Sequence, residues 1–170
     1  MLWFTNTPTP QMARHAGTGS EGYGGHWITQ LAEHVASVNE IELGIVTAYP
    51  DLREAHFSED GVEYFVIPQP SRYPAFGMRA IDLEKCLAAI EQFKPDLIHI
   101  HGSERFYGLI KVTSTIQVPV LISIQGLLGP FSMRRHFFGT LSLFEILKSI
   151  RLIELPVRYG LAWQYYDAWK

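Results

Sequence analysis

Cysteine is almost missing from this chain: Cys86 stands alone among 170 residues. A single thiol excludes an intrachain disulfide framework and a multi-thiolate zinc site, and it suits a reducing compartment. No apolar run approaches the ~20 residues a membrane-spanning helix needs. The first residues, MLWFTNTP, lack the basic start and the cleavable apolar core of a signal peptide, and read as a strand that begins at once. Strong charge of either sign is lacking too. A formal net charge of −3 gives no general reason to expect a nucleic-acid partner. What is present is apolar: 47% of the residues are hydrophobic and 18% charged, too apolar for intrinsic disorder and enough for one folded domain.

Short Val/Ile/Leu-rich runs alternate with helical patterns. Leu2–Thr5 reads as a buried strand that stops at Asn6-Thr-Pro-Thr-Pro, feeding a loop that extends to Gly25. Trp27, Ile28, Leu31, Val35 and Val38 recur at helical spacing and predict a helix over His26–Val38. Strands are predicted at Ile41–Ala48, ended by Tyr49-Pro50, and at Val62–Ile67, ended by Pro68-Gln-Pro70. Leu83, Cys86, Leu87, Ile90 and Phe93 form one stripe of a helix over 79–93 that Pro95 closes. Asp96–Ile100 is a strand exiting through His101-Gly102. A helix over 103–117 carries Phe106, Leu109, Ile110, Thr113 and Ile116 on one face, and Pro119–Ile124 is the last strand. Strands without clean alternation suggest burial on both faces. The pattern predicts an α/β fold: a doubly wound, Rossmann-like parallel sheet with helices on both faces, followed by C-terminal amphipathic helices.

The last forty residues differ in kind. Residues 1–130 hold eight Lys and Arg against fourteen Asp and Glu, whereas residues 131–170 hold six against three. Two regions are therefore expected: a Rossmann-like domain over 1–130, and an aromatic and basic helical extension over 131–170. Lys170 follows Trp169 with no helix stop and no polar tail, so the chain is expected to be a fragment of a longer protein.

The loop before the first helix carries Gly17, Gly19, Gly22, Gly24 and Gly25. Gly17-Thr-Gly19-Ser-Glu-Gly22 matches G-x-G-x-x-G by letter. The dinucleotide motif, however, needs its first glycine at the strand end and an acidic residue after the second strand, and neither is here. Gly24-Gly25, directly before the helix, is the better pair. Without Cβ atoms the backbone can approach a ligand, and free N–H groups with the helix dipole favour phosphate oxygens. The alternative is five glycines that only relax the backbone of a loop.

Four segments taken together resemble a known family. They are Gly24-Gly25-His-Trp-Ile-Thr-Gln-Leu-Ala, Lys94-Pro-Asp-Leu-Ile-His-Ile-His-Gly102, Val118-Pro-Val-Leu-Ile-Ser-Ile-Gln-Gly-Leu-Leu-Gly129 and Arg135-His-Phe-Phe-Gly-Thr-Leu-Ser-Leu. In order and spacing they resemble the N-terminal half of a family 4 glycosyltransferase of GT-B architecture, over most of residues 1–150. The resemblance implies two Rossmann-like domains with the active site in the cleft between them. The N-terminal domain takes the acceptor and the C-terminal domain takes the nucleotide diphosphate sugar. It further implies transfer to an acceptor hydroxyl with retention, no cofactor and no metal ion, with leaving-group charge met by backbone amides and basic side chains. The paired-glutamate donor motif of the C-terminal domain has no match here. The chain is thus expected to be the acceptor half, inactive alone, with a missing C-terminal donor-binding domain as its partner. A sugar or a lipid-linked sugar is the expected acceptor, in cell-surface polysaccharide or glycolipid synthesis. Gly24 and Gly25 match the family's glycine loop near the donor phosphates. The strand exit at Gln125 often carries a histidine in this family. Here the residue is Gln125; an amide can orient a substrate but cannot serve as a general base, so Gln125 is a catalytic-site candidate for positioning and not for proton transfer.

His99 and His101 lie two apart on a strand and so share a face. They could hold a metal with Glu104, but the preferred reading of His99 is a core histidine bonded to backbone. His101, Gly102, Ser103 and Glu104 lie at the carboxyl end of a parallel strand, where α/β sheets bind ligands, and are acceptor-site candidates with Asn6 at the exit of the first strand. His26 could contact a phosphate or cap its helix; binding and exposure are not separable for Arg14 and Tyr23. Residues 131–151 mix Phe131, Phe137, Phe138, Leu141, Phe144 and Leu147 with Arg134, Arg135, Lys148 and Arg151. Such a segment could lie on an anionic membrane surface, at the cytoplasmic face of the membrane, or pack against protein. The rival functions are a nucleotide-dependent oxidoreductase and a non-catalytic flavodoxin-like binding module.

Overall fold

The computed structural model describes residues 1–16, 26–50, 52–69, 79–102, 105–124 and 142–149. The chain divides into two compact units, Met1–Gln125 and Gly126–Lys170. In the first, six strands form one sheet: β1 (Leu2–Thr5), β2 (Leu43–Pro50), β3 (Ala55–Glu59), β4 (Val62–Gln69), β5 (Ile98–His101) and β6 (Val120–Ser123). The order across the sheet is β3-β4-β2-β1-β5-β6, and every pairing is parallel except β3 with β4. Helices α1 (Pro10–His15), α2 (His26–Ala36), α3 (Ala80–Phe93) and α4 (Tyr107–Thr113) complete this unit. The expected α/β, Rossmann-like arrangement is what the chain adopts.

The two faces of the sheet follow from strand alternation. Leu2, Phe4, Val46, Phe65, Ile98 and Ile100 pack with Cys86, Ala89 and Ile90 of α3 and with Tyr107 and Ile110 of α4. Trp3, Leu43, Ile45, Tyr64 and Val66 pack with Met12 of α1 and with Ile28 and Ala32 of α2. Helix α3 carries the stripe its spacing predicts. Its first turn is held by Asp82, which pairs with Arg79 and accepts the Arg79 N–H. Lys94 closes it in the left-handed region at φ 53°, ahead of Pro95.

Several boundaries differ from the sequence expectation, each for a local reason. The stretch after Asn6 is not loop throughout. Thr9 caps α1, its hydroxyl accepting from the Met12 N–H, and Pro10 takes the first helical position, where a missing N–H is harmless. Strand β3 and the hairpin it makes with β4 interrupt the strand–helix alternation. Asp60 and Gly61, with φ 53° and 77°, supply the tight turn, and Asp-Gly is the sequence sign of it. Strands β2 and β4 run two residues further than expected, through Tyr49-Pro50 and Pro68-Gln69. Prolines are tolerated there because the outer neighbours have already ended: β1 pairs β2 only to Val46, and β3 pairs β4 only to Val66.

Helix α2 ends at Ala36 rather than Val38, where the Ser37 hydroxyl donates to the His34 carbonyl. Helix α4 is shorter than 103–117. The Ser114 hydroxyl turns back on the Ile110 carbonyl, and Lys111 reaches the Ile116 carbonyl at 2.8 Å. Its buried face is Phe106, Tyr107 and Ile110, while Leu109 and Thr113 are exposed, so the expected face was rotated. His101 belongs to β5 itself rather than to its exit, and β6 leaves Leu121 and Ile122 exposed instead of burying both faces. In the second unit, α5 (Leu143–Ser149) is opened by Ser142, whose hydroxyl and N–H both donate to Glu145.

Gly44 marks a close approach of β2 to β1 and α3. A Cβ there would lie 2.7 Å from Leu2 Cδ1 and 2.9 Å from the Phe93 ring. Both neighbours are core side chains, so neither yields cheaply. Gly44→Ala is expected to lower stability by about 1–3 kcal/mol, read as a lower urea midpoint at unchanged slope; an unshifted midpoint would show that the β1–α3 contact is loose.

Candidate functional site

The strand order places β1 at the point where the chain turns back across the sheet. β2 pairs on one side of it and β5 on the other. Open α/β sheets bind ligands at the carboxyl ends of strands at such a switch point. Here those ends are Thr5 and Asn6 of β1 and His101 and Gly102 of β5, with Thr5 and His101 directly paired. Of the expected acceptor-site residues, the structure brings Asn6, His101 and Gly102 to this one edge. Ser103, Glu104, Gly24, Gly25 and Gln125 lie outside the described residues, as do Tyr23 and the side chain of His26.

The edge is braced from both faces. Thr47 and Thr5 join their hydroxyls at 2.5 Å, and the Thr5 hydroxyl donates on to the Thr7 carbonyl at 3.2 Å. From the opposite face, the buried Tyr107 hydroxyl accepts from the Ala48 N–H at 2.8 Å and donates to the Thr5 carbonyl at 3.1 Å. Those two backbone groups sit where β1 and β2 stop pairing, so the phenol replaces the sheet hydrogen bonds that end there. Gly102 turns out of β5 at φ 100°, a conformation that disfavours any side chain, and its N–H donates to the Ser123 carbonyl at 2.9 Å.

His101 is only 4% exposed. Its ring lies 4.6 Å from Trp3, 3.9 Å from His99 and 5.6 Å from Trp27, between centroids. His99 is half-buried and pairs with the Ser123 hydroxyl at 2.7 Å, so its partner is a side chain and not the backbone acceptor expected of it. Burial lowers the pKa of His99; burial, and secondarily the neighbouring His99, pushes that of His101 down to about 4. Two imidazoles in contact would repel if both were charged. At neutral pH the His101 ring is therefore neutral, and its basicity is too low for efficient proton abstraction. It can still donate or accept a hydrogen bond. Its Nε2 and the Nε1 of Trp3 are both buried and have no hydrogen-bond partner among the described residues. Orphaned polar atoms of this kind are uncommon inside proteins and point to a group supplied from outside.

Two elements settle other candidates. The six-residue α1 separates β1 from Gly17, so the first glycine of the G-x-G-x-x-G string does not sit at the strand end as dinucleotide binding requires. Arg14 lies on α1 and is paired with Glu59, which accounts for it structurally. No group of three or more His, Cys, Asp or Glu suited to a metal ion occurs among the described residues. Sequence reasoning missed Trp3, Tyr107, Arg105 and Gln69. Trp3 and Gln69 are placed by strand order, Tyr107 and Arg105 by the start of α4 against the sheet, and no motif marks them. No family model matches the chain, and neither does any curated protein or solved structure.

The low basicity of His101 has a direct consequence. An unfolded histidine protonates near 6.5, whereas the folded His101 stays neutral down to about 4. The unfolded state thus binds the extra proton between these values, so the stability is complete above pH 6.5 and declines as pH falls toward 4. The Cε1 proton resonance of His101 is expected to titrate with a midpoint near 4, and His101→Gln to flatten the acid-side loss by up to roughly 3 kcal/mol. A midpoint near 6.5 would show that the ring is solvated.

Proposed function

We propose that the chain is the acceptor-side, N-terminal domain of a retaining glycosyltransferase of GT-B architecture, moving a sugar from a nucleotide diphosphate sugar to an acceptor hydroxyl. The observation that carries this reading is the neutral, buried His101, with an orphaned ring nitrogen, beside Trp27 at the switch point of the sheet. Trp27 is 47% exposed although it lies against a buried ring. The hydroxyl-bearing part of a sugar recipient suits such a pair: an aromatic surface for its C–H face and a hydrogen-bonding group that carries no charge. In this reading Asn6, His101, Gly102, Ser103 and Glu104 receive the acceptor. Gly24 and Gly25 approach the donor phosphates, Gln125 orients the reacting groups, and no metal takes part. A C-terminal domain holds the nucleotide, and the acceptor is a sugar or lipid-linked sugar of surface glycan synthesis.

The test is transfer by the full-length protein with a panel of nucleotide diphosphate sugars. His101→Gln and Trp27→Ala are each expected to raise the acceptor KM about tenfold, with the donor KM unchanged. Saturable binding of NAD, or no transfer with any donor, would overturn the assignment.

A membrane-bound acceptor would bring the enzyme to the cytoplasmic face of a bilayer. Supporting this is α5, where Phe144 and Leu147 are 75% and 58% exposed, one turn apart, with Lys148 beside them. No helix among the described residues is long and apolar enough to cross a membrane. The full chain is expected to co-sediment with vesicles containing anionic lipid at low salt and to be released by Phe144→Ser with Leu147→Ser. Equal sedimentation of the double variant would remove the exposed apolar pair of α5 as the contact.

A further inference from the structure

A second group of donors lies at the same edge of the sheet, on the α3–α4 face. Arg105, half-buried just before α4, sends Nη1 to the Ala48 carbonyl and to Gln69 Oε1, both at 2.9 Å, and its guanidinium carbon lies 5.5 Å from the centroid of the Tyr49 ring. These contacts come from the last residues of β2 and β4. A guanidinium has no acceptor, so it dictates the orientation of the Gln69 amide: the oxygen faces Arg105 and the NH2 end is left over. Gln69 is 6% exposed, and its Nε2 is buried with no partner among the described residues.

The charge of Arg105 is unanswered in the same way. Arg14, Arg79 and Lys85 are paired with Glu59, Asp82 and Glu54, but no carboxylate lies within ion-pair distance of Arg105 among the described residues. Its bonded partners are neutral oxygens. A half-buried cation held by dipoles alone, next to an orphaned amide N–H, has donors to spare and no negative charge.

We propose that Arg105 and Gln69 form an oxyanion subsite that receives a carboxylate or phosphate group of the acceptor. The inference deepens the glycosyltransferase reading and rests on it only for whose anion is bound. The subsite and the His101 edge both lie at the carboxyl ends of the strands: the anion at β2 and β4, the neutral hydroxyl-bearing part at β1 and β5. Arg105 is fixed by two hydrogen bonds before any ligand arrives, so little of its side-chain freedom is lost on binding.

Calorimetric titration of the full-length protein with inorganic phosphate, with glucuronate and with glucose reads the subsite directly. The wild-type protein is expected to bind one or both anions, and which one it prefers identifies the oxyanion; glucose reports the neutral part alone. Arg105→Gln is expected to weaken anion binding at least tenfold while leaving glucose unaffected. Because that change also removes two structural hydrogen bonds, Gln69→Glu is the second arm. It places a carboxylate against Arg105, and is expected to abolish anion binding in a protein that melts no lower than the wild type. Equal anion affinity in wild type, Arg105→Gln and Gln69→Glu would overturn the subsite, as would a wild-type protein that binds neither anion at millimolar concentration. Transfer to neutral acceptors that still depends on His101 would, in that event, leave the acceptor-domain reading standing.

Discussion

Four residues that are covered on both faces organise this molecule. Leu2, Trp3, Phe4 and Thr5 are each no more than 1% exposed. A strand so short can be buried this completely only if it lies in the middle of the sheet, with helices above and below. Its two neighbours then come from separate later parts of the chain, β2 on one side and β5 on the other. The gap this opens at the carboxyl end of β1 follows from that placement. The edge where Asn6, His101, Arg105 and Gln69 gather is therefore set by how Leu2–Thr5 is buried.

The same burial governs the chemistry of the edge. His101 occupies a strand position on the α1–α2 face, and the price of its enclosure by Trp3, Trp27 and His99 is that its charged form is strongly disfavoured. On the other face, Tyr107 and Arg105 bond backbone groups of β1 and β2 where these strands stop pairing, and Arg105 also holds the Gln69 side chain of β4. One polar group is neutral and uncommitted at Nε2; the other is charged and committed only in part. An edge carrying both suits a ligand with hydroxyls at one end and negative charge at the other, which is the form in which the proposed acceptor is cast.

Much of the first unit was legible from residue order. Periodicity located five of the six strands and the helices α2 and α3, because each has an apolar pattern that local spacing reveals. The elements it missed are those whose signal is brief. Helix α1 announces itself only by Thr9-Pro10, and β3 only by the Asp60-Gly61 turn that follows it. The expected face of α4 leaves out Tyr107, whose hydroxyl meets two backbone groups that only the assembled sheet brings to it. Prolines at 50 and 68 suggested strand ends two residues early, since the rule against proline in a central strand applies only while both neighbours are present.

Sequence alone determined the class of fold, the shared face of His99 and His101, and the nomination of Asn6, His101 and Gly102. These depend on periods of two and 3.6 residues, which act between near neighbours in the chain. Tertiary structure alone decided that β1 is central, that His101 is enclosed by Trp3 and Trp27, and that Arg105 meets Ala48 and Gln69 across 57 and 36 residues of sequence. Such contacts are set by which strands lie side by side and by what each burial leaves unsatisfied, and neither quantity is local to the residues concerned.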